Sequence, residues 1–139
     1  PFWDFYTKDG KMEMFIGTKG IKIGSNSYIG ANTVIERGVL SQTEIGSNCR
    51  IGSSVAIAHD VKIGANTLVV ACTLIGGRTR IGKNSYLGPN CTVKNGLNLG
   101  ENSKVSMGSV VTKDVKDNEV VTGNFAIPHE QFIKNLKKI

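Results

Sequence analysis

The stretch "IGANTLVVACTLIGGRTRIGKNSYLGPNCTVKNGLNLG", Ile63 to Gly100, repeats itself every six residues. An aliphatic side chain opens each hexad: Ile63, Val69, Ile75, Ile81, Leu87, Val93 and Leu99. Four residues after each aliphatic stands a small or modest side chain, as at Thr67, Thr73, Thr79, Ser85 and Cys91. Glycine often follows the aliphatic (Gly64, Gly76, Gly82, Gly88, Gly100), and asparagine often stands third after it (Asn66, Asn84, Asn90). Both residues suit a tight corner that needs left-handed backbone. Each hexad therefore reads as a short strand plus a corner, and a fixed short period of this kind is the mark of a solenoid.

Working outward, the aliphatic column runs unbroken from Ile45 to Val111, and three more hexads precede it at Ile23, Ile29 and Ile35. Four residues, Ser41 to Glu44, interrupt the register between them. Three hexads per coil give about five triangular coils over residues 21–116, an all-β parallel helix. Each coil contacts only its neighbours, so the ends need caps. Residues 1–20 supply one candidate: Phe2, Trp3, Phe5, Tyr6 and Phe15 surround a Lys-Asp-Gly turn, which predicts an aromatic hairpin plugging the first coil. Residues 117–139 form a tail ending in a short helix after Pro128, with Phe132, Ile133, Leu136 and Ile139 on one side. A helix this short is marginal alone and is expected to dock on something.

The 139 residues suit one domain, and 40% apolar with 20% charged residues is an ordinary soluble composition. No apolar run is long enough to span a membrane and nothing resembles a signal peptide, so the expected location is cytoplasmic. A net charge of +6 fits a phosphorylated ligand or an acidic carrier protein, with no motif for nucleic acid. Cys49, Cys72 and Cys91 have neither CxxC spacing nor an even count, which argues against a zinc knuckle or a disulfide framework and for small buried thiols. With His59 and His129 as the only histidines, a zinc hydratase site is not expected, and no metal is.

Residues eighteen apart stack, at about the 4.8 Å spacing of neighbouring strands. His59 therefore stacks on Gly77. The outward mid-face residues sort into an apolar stripe (Val34, Ala56, Leu74, Thr92, Val110), a mainly basic one (Leu40, then Lys62, Arg80, Asn98, Lys116) and a mixed one (Tyr28, Arg50, Leu68, Tyr86, Lys104). An exposed apolar stripe marks an interface, and closed rotational symmetry around it suggests a homotrimer. His59 falls on the corner between the apolar and basic stripes. There it can act as a general base, with the Gly77 N–H donating to a developing oxyanion and Lys62, Arg80 and Lys116 holding phosphates. The bland alternative is a polar surface histidine, with Asp60 a turn residue, since adjacent corner side chains tend to diverge.

The segment "IGANTVIERGVLSQTEIGSNCRIGSSVAIAHDVKIG", Ile29 to Gly64, closely resembles the UDP-3-O-acylglucosamine N-acyltransferases of lipid A biosynthesis, including the four-residue break. The "IAHD" spelling also resembles the related UDP-N-acetylglucosamine O-acyltransferases. The resemblance implies a left-handed parallel β-helix of the hexapeptide-repeat acyltransferases, with His59 as general base and Gly77 as oxyanion donor. It also implies a sugar acceptor, which is an amino sugar and UDP-linked, and acyl carrier protein or coenzyme A as thioester co-substrate, with no bound cofactor. The tail "GNFAIPHEQFIKNL" is similar to family endings that touch acyl carrier protein, and Lys134, Lys137 and Lys138 crowd it. "SMGSVVTKDVKDNEVVTGN" instead resembles acetyl-CoA-dependent acetyltransferases, although Phe125 replaces a family proline. Gly96 stands where the family often has a second histidine, and the family's uridine-binding domain has no counterpart here. A noncatalytic trimerisation module is the contrasting reading.

Overall fold

The computed structural model describes residues 4–123 and 126–137, with side chains from Tyr6 onward. Phe2, Trp3, Phe125, Lys138 and Ile139 lie outside the described residues. A hairpin comes first, β1 (Asp4–Lys8) paired antiparallel with β2 (Lys11–Phe15). Asp9 and Gly10 close it at φ 50° and 72°, the left-handed pair that a two-residue hairpin turn demands.

Strands of two or three residues follow, three to a coil. The first coil is β3 (Ile21–Ile23), β4 (Tyr28–Ile29) and β5 (Val34–Ile35). The second is β6 (Thr43–Ile45), β7 (Arg50–Ile51) and β8 (Ala56–Ile57). The third is β9 (Lys62–Ile63), β10 (Leu68–Val69) and β11 (Leu74–Ile75), and the fourth β12 (Arg80–Ile81), β13 (Tyr86–Leu87) and β14 (Thr92–Val93). The fifth is β15 (Asn98–Leu99), β16 (Lys104–Val105) and β17 (Val110–Val111). A partial sixth comprises a bridge from Val115 to Leu99 and β18 (Val120–Val121). All pairings between coils are parallel, and they build three flat sheets: a left-handed parallel β-helix whose ladder continues past Lys116 to Val121.

The register follows from the repeat. Ile57 pairs with Ile75, eighteen residues on, while Ile35 pairs with Ile57, twenty-two on, because the connection between β5 and β6, residues 36–42, is longer than the others by the four inserted residues. Inward aliphatics stack in three columns and are nearly inaccessible from Ile45 to Val115. Each such side chain contributes about 1.5–3 kcal/mol on burial. The small inward positions are polar in part, and the threonine hydroxyls among them donate to carbonyls of the next coil, whereas the buried Ser109 Oγ has no partner among the described residues. Thr67 Oγ1 reaches the Gly82 carbonyl at 3.2 Å, Thr73 Oγ1 that of Gly88 at 3.1 Å, and Thr79 Oγ1 that of Lys94 at 3.2 Å. Cys49 and Cys91 are buried, and burial pushes their thiols up; Cys72, expected to be buried too, is exposed at a corner with φ 60°.

One expectation about the ends is corrected. Among the described residues the hairpin does not plug the first coil: β2 is exposed along its length, and the inward Ile21 and Ile23 remain 42% and 46% exposed. Its aromatics pair with each other instead, Tyr6 edge-on to Phe15 with ring centroids 6.4 Å apart. The terminal helix α1 (His129–Leu136) forms after Pro128 but buries none of its residues, so its apolar side does not dock on its own prism. Among the described residues no helix is long and apolar enough to cross a membrane.

Candidate active site

The long connection between β5 and β6 matters because of what it wraps. Asp60 sits at a corner with φ 59°, 6% exposed, and its Oδ1 accepts the backbone N–H groups of Val39, Leu40 and Ser41 at 3.0, 3.0 and 2.7 Å. Its Oδ2 lies 2.8 Å from His59 Nδ1. The expectation that Asp60 is a turn residue diverging from His59 is thus incomplete: it makes the turn and holds the imidazole as well. Burial raises the Asp60 pKa, but hydrogen bonds from His59, Ser41 and Val39 outweigh it and leave the carboxyl below its ordinary value. An ionised carboxylate can only accept, so His59 Nδ1 donates to Asp60, and in the neutral imidazole Nε2 is then the nitrogen that accepts.

That Nε2 faces Gly77. A Cβ built on Gly77 would overlap Nε2 and lie 2.8 Å from Cδ2 and Cε1, so the imidazole occupies the space that a side chain would take. The two corners are tied through the backbone, Arg78 N–H donating to the His59 carbonyl at 2.9 Å, and the His59 N–H donates to Glu36 Oε2 at 3.1 Å. Gly76 and Arg78 spend their N–H groups on neighbouring coils, whereas among the described residues no carbonyl takes the Gly77 N–H. Other corners share that freedom; what sets residue 77 apart is a bare backbone beneath an oriented imidazole.

The basic residues sit apart from this corner. Lys62, Arg80 and Lys116 line a groove of about 880 Å³ along the face of β3, β6, β9, β12 and β15, and His59 and Gly77 do not line it. Lys62 is already engaged: its ammonium donates to the Gln42 carbonyl at 2.6 Å and to Glu44 Oε1 at 2.5 Å, which holds the Glu44 carboxyl below its ordinary value. The expected stripe is corrected at both ends. Glu44, not Leu40, pairs with Lys62, because the loop carries Leu40 out of register. The last turn is two residues short, so Val115 faces Leu99, and Lys116 falls beyond the mid-face position. The apolar stripe aligns as expected, from Val34 through Ala56, Leu74 and Thr92 to Val110. Beside it Val34, Glu36, Ala56, Ala58 and Leu74 form a small recess of about 160 Å³. Among the described residues no group of three or more His, Cys, Asp or Glu side chains is placed to hold a metal ion.

Fold and repeat together define a left-handed parallel β-helix built of hexapeptide repeats, the fold that the sequence resemblance implied. Residues 39–138 match the family described as GMPPB C-terminal domain, and residues 16–39 match the hexapeptide repeat of succinyl-transferase. The chain belongs to the GMPPB C-terminal domain family. No curated protein matches it. Among solved structures it is similar to the Arabidopsis UDP-N-acetylglucosamine acyltransferase (29% identity, TM-score 0.74, covering 84% of this chain and 42% of that one). It is also similar to the Francisella novicida UDP-N-acetylglucosamine acyltransferase (26% identity, TM-score 0.72, covering 83% and 45%). The chain thus spans less than half the length of these two. AntD, an N-acyltransferase from Bacillus cereus in complex with dTDP and coenzyme A, covers 99% of this chain and 100% of its own at 14% identity and TM-score 0.65; that likeness is one of fold alone.

Proposed function

We propose that the protein transfers an acyl group from a thioester to the amine of a sugar, with His59 and Gly77 as the catalytic residues. The observation that carries this reading is the His59 imidazole, fixed by Asp60 and aimed over the bare backbone of Gly77. His59 Nε2 removes a proton from the acceptor amine as the nitrogen attacks the thioester carbonyl. The Gly77 N–H donates to the oxyanion of the tetrahedral intermediate. Collapse re-forms the carbonyl and expels the thiolate, which takes the proton back from the imidazolium. An amide and a free thiol result, and atoms and charge balance.

The acceptor in this reading is a UDP-linked amino sugar, as in lipid A biosynthesis, in the cytoplasm. Lys62, Arg80 and Lys116 contribute to the charged groove, and the donor is acyl carrier protein or coenzyme A. Lys134 on the exposed α1 and Lys137 at its C-terminal cap favour the carrier, whose acidic surface a spread of lysines would steer. The apolar stripe packs as a homotrimer, which places the His59 corner at the edge of a subunit interface. The second reading, a noncatalytic trimerisation module, draws support from the matched family, which is described as a C-terminal domain rather than by a reaction.

Thiol release decides between them. The parent chain is incubated with acetyl-CoA or an acyl carrier thioester and UDP-linked glucosamines, beside His59→Ala. Acyl transfer predicts turnover in the parent and a loss of about 10²- to 10⁴-fold in His59→Ala with unchanged melting. No turnover with any pair, or a His59→Ala enzyme as fast as the parent, selects the module.

A further inference from the structure

One corner of the prism carries asparagine in every coil, at Asn26, Asn48, Asn66, Asn84, Asn102 and Asn118, all at φ between 56° and 60°. The corner that carries His59 has none: its left-handed positions are Asp60, Arg78 and Gly96. Asp60 is accounted for by the loop it cradles and the imidazole it holds. Arg78 is not. It holds φ 64°, a conformation that a long side chain without a local hydrogen bond disfavours, and it follows Gly77 directly. The other non-glycine left-handed positions hold Asn, Asp, Ser or Cys, so a long side chain kept in this conformation points to a role for it.

The arginines divide in a way that agrees. Arg37 Nε donates to the Lys19 carbonyl at 3.1 Å, and Arg50 Nη1 donates to the carbonyls of Asn26 and Cys49 at 2.7 and 3.0 Å. The guanidinium groups of Arg78 and Arg80 have no hydrogen-bond or ion-pair partner among the described residues. They flank the inward Thr79, which is fully buried, so both are exposed on the same coil, one at the corner and one on the adjoining face. Lys62, one coil away, is neutralised by Glu44. The uncommitted arginine charge on this coil is therefore a pair, Arg78 next to Gly77 at the corner and Arg80 on the adjoining face.

We infer that Arg78, acting with Arg80, is a specificity-determining residue that grips a phosphate group of the ligand whose reacting atom lies over Gly77. A planar guanidinium fork matches two phosphate oxygens at once, which an ammonium cannot do. The inference rests on the acyl-transfer reading for its two sources of phosphate, a nucleotide-sugar acceptor or a coenzyme-type donor. Binding of UDP and of coenzyme A, each alone, separates those sources without requiring turnover.

The informative variant is Arg78→Asn, because asparagine is what the prism uses at this φ elsewhere. It removes the charge while easing the backbone, so its melting temperature should equal or exceed the parent's. The parent should bind one of the two probes, by calorimetry, with affinity that falls as sodium chloride rises. Arg78→Asn should bind that probe about tenfold or more weakly, the usual loss for a charge-assisted pair, and with a shallower salt dependence. Arg78→Lys should fall between. Parent-like binding of both probes by Arg78→Asn overturns the inference, and so does a parent that binds neither. Should Arg78→Asn bind like the parent while His59→Ala loses turnover, the acyltransferase reading stands without it. Should no acyl transfer occur while binding still depends on Arg78, the converse holds.

Discussion

A methyl group on Gly77 would meet an imidazole that cannot swing away freely, because His59 Nδ1 is bonded to Asp60 at 2.8 Å. The Gly77 φ is not in the left-handed region, so alanine is tolerated by the backbone and the collision falls on the His59 ring. Gly77→Ala is therefore expected to keep the parent's melting temperature within a few degrees while kcat drops about 10²-fold or more, as for loss of one oxyanion or general-base contribution. A parent-like kcat would remove Gly77 from the site. Asp60 gives a second test at the same scale. Its carboxyl is held below the ordinary value, so its contribution to stability is complete above about pH 4 and is lost as pH falls through the depressed folded-state pKa. Asp60→Asn should be less stable at neutral pH, by about 1–3 kcal/mol, and flatter in acid. It should also be slow, since an amide N–H donated to Nδ1 puts the proton on Nε2, the wrong nitrogen for a base. A denaturation series from pH 7 to pH 3 with parallel initial rates checks both parts, and an unchanged acid profile would refute the linkage.

At the scale of the strand and corner, the sequence was legible wherever each hexad obeyed local rules. Ile57 and Ile75 had to face inward because the side chains between them are mostly polar or small, and asparagine announced the left-handed corners of one whole column, from Asn26 to Asn118, without any knowledge of the neighbouring coil. What was not legible depended on residues distant in sequence. Asp60 reads as a turn residue because the amides it accepts, at Val39, Leu40 and Ser41, lie about a full coil earlier in a loop with no periodicity. Glu44 and Lys116 were misplaced because an insertion and a shortened turn rephase every position after them. The asparagine corner itself is testable at Asn84, which has φ 59° and accepts from Asn66 Nδ2 at 3.3 Å. Alanine there should cost about 1–2 kcal/mol from the left-handed backbone, while glycine should cost less. If Asn84→Ala proves as stable as Asn84→Gly in urea unfolding, backbone conformation is not what asparagine supplies.

At the scale of the whole molecule, the apolar stripe has no counterpart among the described residues of its own chain. Val34, Leu74 and Val110 stay 54%, 47% and 59% exposed on one face, with the recess around Ala56 between the first two. Aligned apolar side chains along a rigid face are the surface that rotational symmetry closes most readily, since each copy presents the same strip. On this reading the trimer buries Leu74, and the His59 corner, one step beyond the stripe, becomes the wall of a cleft between copies. Leu74→Glu tests it sharply because the two states respond differently. In a free chain the introduced carboxylate is solvated and the prism, whose core lies on the other side of β11, should melt as the parent does once the parent is dissociated. In a packed trimer the same carboxylate is buried without a partner, at a cost of about 3–5 kcal/mol per site. Sedimentation velocity should therefore show a trimer for the parent and a monomer for Leu74→Glu at micromolar concentration. A Leu74→Glu chain that sediments as the parent's trimer would move the interface to another face and take the His59 cleft with it.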